Sequence, residues 1–389
     1  MLNDEPDNEA LLPAGLHDVL PPYAAQEAQV IAALMAGFAA RGYEPVKPPL
    51  VEFETTLLAD DETGLKEHMF RVMDPVSQRM MGIRADMTLQ VARIAATRLR
   101  RAPRPLRLSY AGQVLRVRGS QLRPERQFTQ AGVELIGTDL PSADIEVALL
   151  SVESLTRVGI VRPTLDLVSP TVVGAILDEL GCDTGTANAL RTALDHKDVG
   201  RLGELAGSER ELFEALVRAA GRAETAVEAL RRLSLPPAAR VEVDRLDEVV
   251  AGIKAAEPDL SLTLDPVEYR GFKYHTGVSF TLFAHGVRGE LGRGGRYMGL
   301  NGEPATGLSL FLDSILRALP PPPTAPRVFL PHGTSAAVAA RVAADGWMTV
   351  AGLEPVDDEE AEARRLGCTH CLVDDAVTEL PARGGRAGG

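Results

Sequence analysis

The sequence predicts an α+β fold, in which a mainly antiparallel sheet with flanking helices carries an inserted helical module and is followed by a small C-terminal α/β unit. Short runs of strand-forming residues follow one another before residue 140 and return after residue 260. Between them, residues of about 170–250 are rich in Ala, Leu, Glu and Arg at helical periodicity. Strand-like and helical segments alternate after residue 326. Successive strands favour antiparallel pairing, whereas alternation favours an α/β unit.

The first predicted elements are a turn-rich segment and a long helix. Pro13, Gly15 and the pair Pro21-Pro22 mark turns, and apolar residues at helical spacing then predict a helix over residues 24–42. Residues 43–53 contain several prolines. Because proline cannot donate a ladder hydrogen bond, this segment is expected to be extended and to lie at a sheet edge or an interface.

The remaining elements of the first part are short strands and one helix. Strands are predicted at residues 69–72, 79–84, 106–116 and 128–136, with a helix at 88–99. After the helical module, strands are predicted at residues 261–264, 278–284 and 307–312. The run Gly292-Arg293-Gly294-Gly295 lacks the Lys-Ser/Thr pair of a phosphate-binding loop and is interpreted as a tight turn between two of these strands.

A proline run divides the chain into two predicted domains. The first domain comprises residues 1–319, and residues 320–326, which begin with four prolines, form a stiff linker. Residues 327–389 are expected to form a β-α-β-α-β unit. The glycine-rich end, residues 384–389, is expected to be a disordered tail.

The overall charge disfavours nucleic acid as a partner. The chain has 41 Lys+Arg against 54 Asp+Glu, and its net charge of −13 opposes non-specific attraction to polyanions. The basic stretch 98–107 could touch phosphates, but a solvated face or a subunit contact is the more common role of such a stretch. No apolar run approaches the roughly 20 residues of a membrane helix, so no membrane partner is expected. Residues 1–10 are acidic and lack the apolar segment of a secretory signal, so a cytoplasmic location is expected.

The cysteines do not predict a fold-defining framework. Cys182, Cys368 and Cys371 are too few for a disulfide network, which agrees with a reducing compartment. Cys368-Thr369-His370-Cys371 is similar to half of a zinc or redox motif, but there is no second Cys pair, which favours two reduced thiols near a strand. No metal and no cofactor are expected.

Several separated motifs resemble those of class II aminoacyl-tRNA synthetases, and specifically of histidyl-tRNA synthetase. They are Pro13-x-Gly15-x-x-Asp18-x-x-Pro21, Gly42-Tyr43 with Pro49 and Glu52, Arg84-Ala85-Asp86-Met87-Thr88, Arg126 to Glu134, Arg270 to His275, and Gly294 to Leu300. The resemblance covers roughly residues 12–318. It implies the antiparallel sheet of the class II synthetases, and it implies that the region from Gly42 to Glu52 contacts a second subunit.

Two motifs depart from the synthetase pattern. The synthetase sequence Phe-Arg-x-Glu is replaced by Leu115-Arg116-Val117-Arg118, which puts a cation where the family has a carboxylate in its ATP site. The synthetase sequence Gly-Leu-Glu-Arg is replaced by Phe311-Leu312-Asp313-Ser314, which removes a nucleotide-binding arginine. The C-terminal unit of about 65 residues is also short for an anticodon-reading domain. These departures predict that amino-acid activation is lost and that no residue is catalytic.

A synthetase-like core with altered ATP motifs is similar to the regulatory subunit of ATP phosphoribosyltransferase. This resemblance implies a non-catalytic subunit that works with a short-form catalytic subunit at the first step of histidine biosynthesis. It also implies a homodimer within a larger hetero-oligomer, with free histidine as the effector. Two alternatives remain open: an active histidyl-tRNA synthetase, and a synthetase-like module that binds tRNA or another enzyme.

The motifs supply a candidate set for binding histidine. Free histidine presents a carboxylate, an ammonium and an imidazole, which call for an arginine and for acidic or amide groups. By resemblance, Arg270 would face the carboxylate, Asp86 and Thr88 the ammonium, Gln130 and Glu134 other polar groups, and Tyr274, His275 and Tyr297 the imidazole; Arg116 could meet a phosphate and completes the set. Lys273 and His275 stand where the family has Asp and Tyr. Alternation along a strand places Gln130 and Glu134 on one face.

Each of these residues also has a structural interpretation. Glu134 could belong to a solvated strand face. Arg116 and Arg270 could be ordinary surface or ion-pair arginines. Tyr274 and Tyr297 could be half-buried wall residues with hydrated hydroxyls. The joint occurrence of the residues, and no single one of them, favours a ligand pocket.

Overall fold

The structure is a computed structural model that describes residues 12–57, 65–119, 123–269, 275–323 and 325–381. The strands in these residues are β1 (Glu44–Pro45), β2 (Val51–Phe53), β3 (Phe70–Met73), β4 (Met80–Ile83), β5 (Leu106–Leu115), β6 (Gln127–Ile136), β7 (Pro163–Val168), β8 (Gly221–Arg222), β9 (Ser261–Asp265), β10 (His275–Ala284), β11 (Gly292–Met298), β12 (Pro304–Phe311), β13 (Arg327–Leu330), β14 (Met348–Ala351), β15 (His370–Val373) and β16 (Ala376–Glu379).

The helices in the described residues are α1 (Tyr23–Ala40), α2 (Glu54–Leu57), α3 (Thr88–Thr97), α4 (Pro141–Arg157), α5 (Pro170–Glu179), α6 (Thr184–Asp195), α7 (Val199–Leu205), α8 (Arg210–Arg218), α9 (Ala223–Arg231), α10 (Pro237–Ala256), α11 (Leu312–Ala318), α12 (Ala336–Ala344) and α13 (Glu359–Arg365). Among them, none is both long enough and apolar enough to cross a lipid bilayer.

The first unit, residues 1–320, is built on a nine-stranded sheet of order β1-β5-β6-β12-β11-β10-β7-β9-β8. Only two neighbouring pairs of this sheet, β1 with β5 and β7 with β9, are parallel. The prediction of a mainly antiparallel α+β sheet is therefore confirmed. The proline-containing strand β1 lies at one edge of this sheet, where a residue without an N–H is tolerated. A second, three-stranded sheet has the order β2-β4-β3.

Strand β6 is the central element that positions the candidate site. Every residue from Phe128 to Ile136 is buried, because β5 and β12 flank the strand and helices cover the sheet. Helix α1 contributes Val30, Leu34 and Phe38 to the core, at the four-residue spacing of one helix face. Burial of each large apolar side chain contributes about 1.5–3 kcal/mol, so this face fixes α1 on the sheet.

The interpretation of Gly292-Arg293-Gly294-Gly295 as a turn was wrong, because these residues begin strand β11 in the middle of the sheet. The glycines are needed for close packing. A Cβ on Gly294 would overlap the Phe280 ring of β10, and Gly295 has a φ of +144°, which side chains rarely tolerate. The glycine run therefore makes room for neighbouring strands and does not reverse the chain.

The helical segment lies between the parallel strands β7 and β9. Helices α5 to α10 occupy this interval, together with the two-residue strand β8 that pairs with β9. Their buried apolar residues join the same core cluster as the main sheet. The Asp183 side chain caps α6 by accepting hydrogen bonds from the backbone N–H groups of Gly185 (2.9 Å) and Thr186 (3.1 Å).

The second unit, residues 321–389, contains a four-stranded sheet of order β14-β13-β15-β16. The predicted β-α-β-α-β order is present, but a further antiparallel strand, β16, follows it. Cys368 and Cys371 are free thiols, buried in a small cluster with Phe329 and Ala363. The predicted tail at 384–389 lies outside the described residues.

Candidate functional site

Seven of the nine predicted site residues can be located in the structure. Asp86 lies two residues before α3, and Thr88 is its first residue. Arg116 follows β5, Gln130 and Glu134 lie on β6, His275 begins β10, and Tyr297 lies on β11. Arg270 and Tyr274 lie outside the described residues. The structure brings Asp86, Thr88, Gln130, Glu134 and Tyr297 into one hydrogen-bonded network.

Gln130 connects the start of α3 to the sheet. Its Nε2 donates to Asp86 Oδ2 (3.0 Å) and to Ser309 Oγ (2.6 Å), and its Oε1 accepts from the Met87 backbone N–H (3.1 Å). Asp86 Oδ1 also accepts from the Thr88 backbone N–H (2.8 Å). Gln130 is fully buried, so its amide orients the Asp86 carboxylate and holds the first turn of α3 in place.

Glu134 is fully buried, with a tyrosine hydroxyl on each carboxyl oxygen. Tyr110 donates to Oε1 (3.2 Å) and Tyr297 donates to Oε2 (2.9 Å). Burial raises the pKa of Glu134 to about 8, so near neutral pH the carboxyl is mainly protonated and can donate as well as accept a proton. The interpretations of Glu134 as a solvated residue and of Tyr297 as a hydrated wall residue were wrong, because both side chains are buried.

Two glycines make space for this carboxyl group. Gly307, directly opposite Glu134 on β12, would overlap Glu134 Oε2 if it carried a Cβ. Gly132 lies two residues before Glu134 on β6, and a Cβ at this position would likewise overlap the Tyr110 hydroxyl and the Leu308 carbonyl. Because neither glycine has a Cβ, the Glu134 carboxyl can lie against Gly307 and the Tyr110 phenol can lie against Gly132.

His275 lies opposite Tyr297 in the register of β10 and β11. Burial is the main reason, and the nearby Arg293 charge the lesser one, that its pKa is lowered to about 3. The imidazole is therefore neutral across the physiological pH range. His275 therefore adds an uncharged ring to the sheet at the position opposite Tyr297.

Arg116 belongs to a second, aromatic cluster. Its guanidinium lies 5.2 Å from the centre of the Phe128 ring, and its Nε donates to the Ala85 carbonyl (3.3 Å). Phe128 meets Phe311 edge to face, with ring centres 5.9 Å apart, and Arg123 lies 3.7 Å over the Phe311 ring. A cation over the face of an aromatic ring is attracted to the ring, and the attraction is stronger when water is excluded.

This cluster supplies its own counter-charges. Glu290 Oε1 accepts from Arg123 Nη2 (2.6 Å) and also from Arg293.

The altered motif at the end of β12 is buried. Ser314, at the position of the synthetase arginine, is buried, and its Oγ lies 3.1 Å from Arg317 Nη2. Phe311, at the position of a synthetase glycine, is only 1% exposed. The altered motifs therefore change shape as well as charge.

The sequence interpretation missed Tyr110 and Ser309, which link the two halves of the network. The Tyr110 hydroxyl lies 3.1 Å from Ser309 Oγ and 3.4 Å from Thr88 Oγ1. Tyr110 pairs with Gly132 in the register of β5 and β6. Only that register would have placed a tyrosine over a glycine on the strand that carries Gln130 and Glu134.

A buried ion pair that includes Arg296, the residue before Tyr297 on β11, was also missed. Arg296 and Asp144 are each 2% exposed and are joined by Nη2–Oδ2 (2.8 Å) and Nε–Oδ2 (3.1 Å) contacts. Thr306 Oγ1 donates to Asp144 Oδ1 (2.8 Å), and Arg296 Nη2 donates to the Leu140 carbonyl (2.8 Å). This arginine of the Gly294-to-Leu300 motif ties β11 and β12 to the start of α4.

The fold and this network define a protein of the histidyl-tRNA-synthetase-like class, and the Histidyl-tRNA synthetase family model matches residues 15–315. An ATP phosphoribosyltransferase regulatory subunit from Paramagnetospirillum magneticum (strain ATCC 700264 / AMB-1) is 56% identical over 376 residues, which are 97% of this chain and 99% of the relative. This chain belongs to the family of ATP phosphoribosyltransferase regulatory subunits.

Two solved structures have similar folds. An ATP phosphoribosyltransferase regulatory subunit/histidyl-tRNA synthetase from Bacillus halodurans C is 24% identical, with a TM-score of 0.80 over 92% of this chain and 97% of that one. A chain of the ATP phosphoribosyl transferase (HisG:HisZ) complex from Thermotoga maritima is 20% identical, with a TM-score of 0.58 over 74% of this chain and 97% of that one. At these identities, the likeness shows the shared fold.

Proposed function

We propose that this chain is the non-catalytic regulatory subunit of an ATP phosphoribosyltransferase and works with a short catalytic subunit at the first step of histidine biosynthesis. Its membership of the regulatory-subunit family supports this assignment. The fold that it shares with a chain of the Thermotoga maritima complex is consistent with assembly on a catalytic partner. A cytoplasmic location is part of the proposal, and the three free cysteines favour it.

We further propose that free histidine binds at the Asp86–Gln130–Glu134 network and inhibits the complex. The observation that carries this proposal is a network in which the buried Gln130 and Glu134 and the partly buried Asp86 place an amide and two carboxyl groups at the start of a helix. Asp86 suits the ammonium group, and the Glu134 carboxyl, with its raised pKa, can exchange a proton with an imidazole nitrogen. Arg270 remains the predicted partner of the histidine carboxylate.

Inhibition requires that histidine bind one arrangement of the complex more tightly than another. A coupling free energy of about 1–3 kcal/mol between the two sites is typical of allosteric proteins. Because Gln130 fixes the first turn of α3, a ligand that contacts Asp86 would bias the position of that helix. Helix α3 is therefore the proposed element that carries the signal.

Calorimetry on the assembled complex tests the histidine site. Arg270→Ala and Glu134→Ala are expected to weaken histidine binding by about tenfold or more, because each removes a charged or proton-exchanging partner. Asp247→Ala, which breaks an exposed ion pair in the helical module, is the matched control and is expected to bind as the wild type does. Wild-type affinity in both site variants would show that the network is not the sensor.

The non-catalytic part of the proposal rests on Phe311, Ser314 and Arg118. Phe311 fills space with a buried ring, and Ser314 lacks the charge of an arginine. The purified chain is expected to show no histidine-dependent exchange of pyrophosphate into ATP. Exchange at about 1 per second or faster, a rate typical of enzymes, would contradict this.

We also propose that the chain forms a homodimer through residues 42–52. Strand β1 is a sheet edge, and Glu52 is held by Arg93 and by Gln90 Nε2 (3.0 Å), which gives this region a fixed shape. Two-fold pairing is the commonest assembly of identical chains. Sedimentation at micromolar concentration is expected to give a dimer, and a monomer both with and without the catalytic subunit would refute the proposal.

A further inference from the structure

Three arginines after α3 form a basic patch with no internal counter-charge. Arg98, Arg100 and Arg101 are all exposed, and across the described ranges none of them has a carboxylate within ion-pair distance. The arginines before and after them differ. Arg93 pairs with Glu52, and Arg104 pairs with Glu303. The unpaired patch is therefore a local feature of residues 98–101, which we call the basic turn.

The basic turn is held in a fixed conformation. Arg104 Nη1 donates to the carbonyls of Leu99 (3.0 Å) and Ala102 (2.9 Å), and its Nε donates to Glu303 Oε1 (2.6 Å). The backbone under the exposed guanidinium groups is thus fastened to the body of the protein. A rigid backbone lowers the entropy that binding would cost. The partial negative charge at the C-terminal end of α3 also favours cations at this point.

One helix joins the basic turn to the candidate histidine site. Helix α3 begins at Thr88, where Asp86 and Gln130 hold the first turn, and ends at Thr97, directly before the basic turn. Its 10 residues span about 15 Å. The basic turn and the candidate histidine site therefore lie at the two ends of one short helix.

We propose that the basic turn docks an acidic surface of the catalytic subunit. This proposal rests on the proposed function and names the contact through which the complex would form. Charge complementarity identifies the partner: three exposed guanidinium groups on a fixed backbone match carboxylates, with which arginine makes paired hydrogen bonds. A nucleic acid would extend beyond these few residues over a chain of net charge −13, whereas an acidic protein patch can be as small as the basic turn.

The test compares two triple variants of equal charge change. R98E/R100E/R101E reverses the basic turn, and the control R201E/R222E/R232E reverses three exposed arginines of the helical module. The Kd of the wild-type complex is expected to rise about tenfold between about 0.05 M and about 0.3 M salt. Reversal of the basic turn is expected to weaken binding by about 30-fold or more at low salt and to remove the salt dependence. The control is expected to behave as the wild type.

Two further measurements keep the outcomes separate. A midpoint of urea unfolding equal to that of the wild type would show that R98E/R100E/R101E is folded, and R98K/R100K/R101K is expected to recover most of the affinity because the charge is kept. If the wild type binds the catalytic subunit and the reversed variant binds it equally well, docking at the basic turn is refuted while the proposed function stands. Loss of tRNA binding with unchanged subunit binding would also refute it. If the wild type does not bind the catalytic subunit, the proposed function itself fails.

Discussion

Replacing Glu134 with Gln should change how the stability of the protein depends on pH. The carboxyl group has a folded-state pKa of about 8, against an ordinary value of 4.5. Between these two values the unfolded chain releases a proton that the folded chain keeps. The free energy of unfolding therefore falls as pH rises through this window, and the contribution of Glu134 to this fall ends above about pH 8. Glutamine has the same shape but does not ionise.

The size of the effect follows from the shift in pKa. Each unit corresponds to about 1.4 kcal/mol, so Glu134 alone costs at most about 5 kcal/mol above pH 8. About 2 kcal/mol of that cost develops between about pH 6 and about pH 8. His275 acts in the opposite sense: its folded-state pKa is lowered to about 3, so it contributes stability that is lost as pH falls below about 6.5. Because wild type and Glu134→Gln both contain His275, its contribution cancels in the difference between their free energies of unfolding.

Urea denaturation at a series of pH values measures the effect. The free energy of unfolding of Glu134→Gln, relative to wild type, is expected to rise by about 2 kcal/mol from pH 6 to pH 8. Glu146→Gln is the control. The hydrogen bonds from Arg107 help to lower the pKa of Glu146, so this variant is expected to change stability without altering the slope above pH 6. Parallel curves for wild type and Glu134→Gln over this range would refute the reasoning.

Three further predictions concern packing and the altered motifs. Gly307→Ala is expected to lower the free energy of unfolding by about 1–3 kcal/mol, because the new Cβ overlaps a buried carboxyl oxygen; a denaturation midpoint equal to that of wild type would contradict this. Arg296→Met is expected to cost about 3–5 kcal/mol in the same assay, because it leaves Asp144 buried without its cation, and a loss below 1 kcal/mol would count against it. Ser314→Arg alone is expected not to create ATP binding in equilibrium dialysis, because the Phe311 ring remains in place. ATP binding by that single variant would refute a steric role for the ring, and Ser314→Arg with Phe311→Gly is the matched comparison.

Local patterns were sufficient to predict the elements that carry the site. Strand β6 was predicted at residues 128–136 and runs from Gln127 to Ile136, because Phe128, Val133 and Ile136 favour strand structure even with Gln130, Gly132 and Glu134 between them. Helix α3 was predicted to begin at Thr88 and does so. The two motifs that contain Asp86, Gln130 and Glu134 are adjacent in the structure because β6 lies beside the start of α3.

Long-range packing could not be predicted from local patterns. The turn interpretation of residues 292–295 failed because glycine serves both chain reversal and close strand packing, and contacts with distant strands, such as that of Gly294 with the Phe280 ring, distinguish the two roles. The burial of Glu134 depends on Tyr110, Tyr297 and Gly307, which come from three other strands. The register between strands far apart in the chain is therefore the missing information.

The position of the helical module has a consequence for how the chain folds. Strand β7 hydrogen-bonds on one side to β9, with Thr164 opposite Ser261, and on the other side to β10, with Val168 opposite Ser279. Both partners are synthesised only after the whole helical module. Strand β7 is therefore separated from either neighbour by about 100 residues of chain, and the entropy cost of closing such long loops before any pairing slows folding. If the helices α5 to α10 assemble first, this entropy cost is smaller, because their packing brings the two ends of the module together.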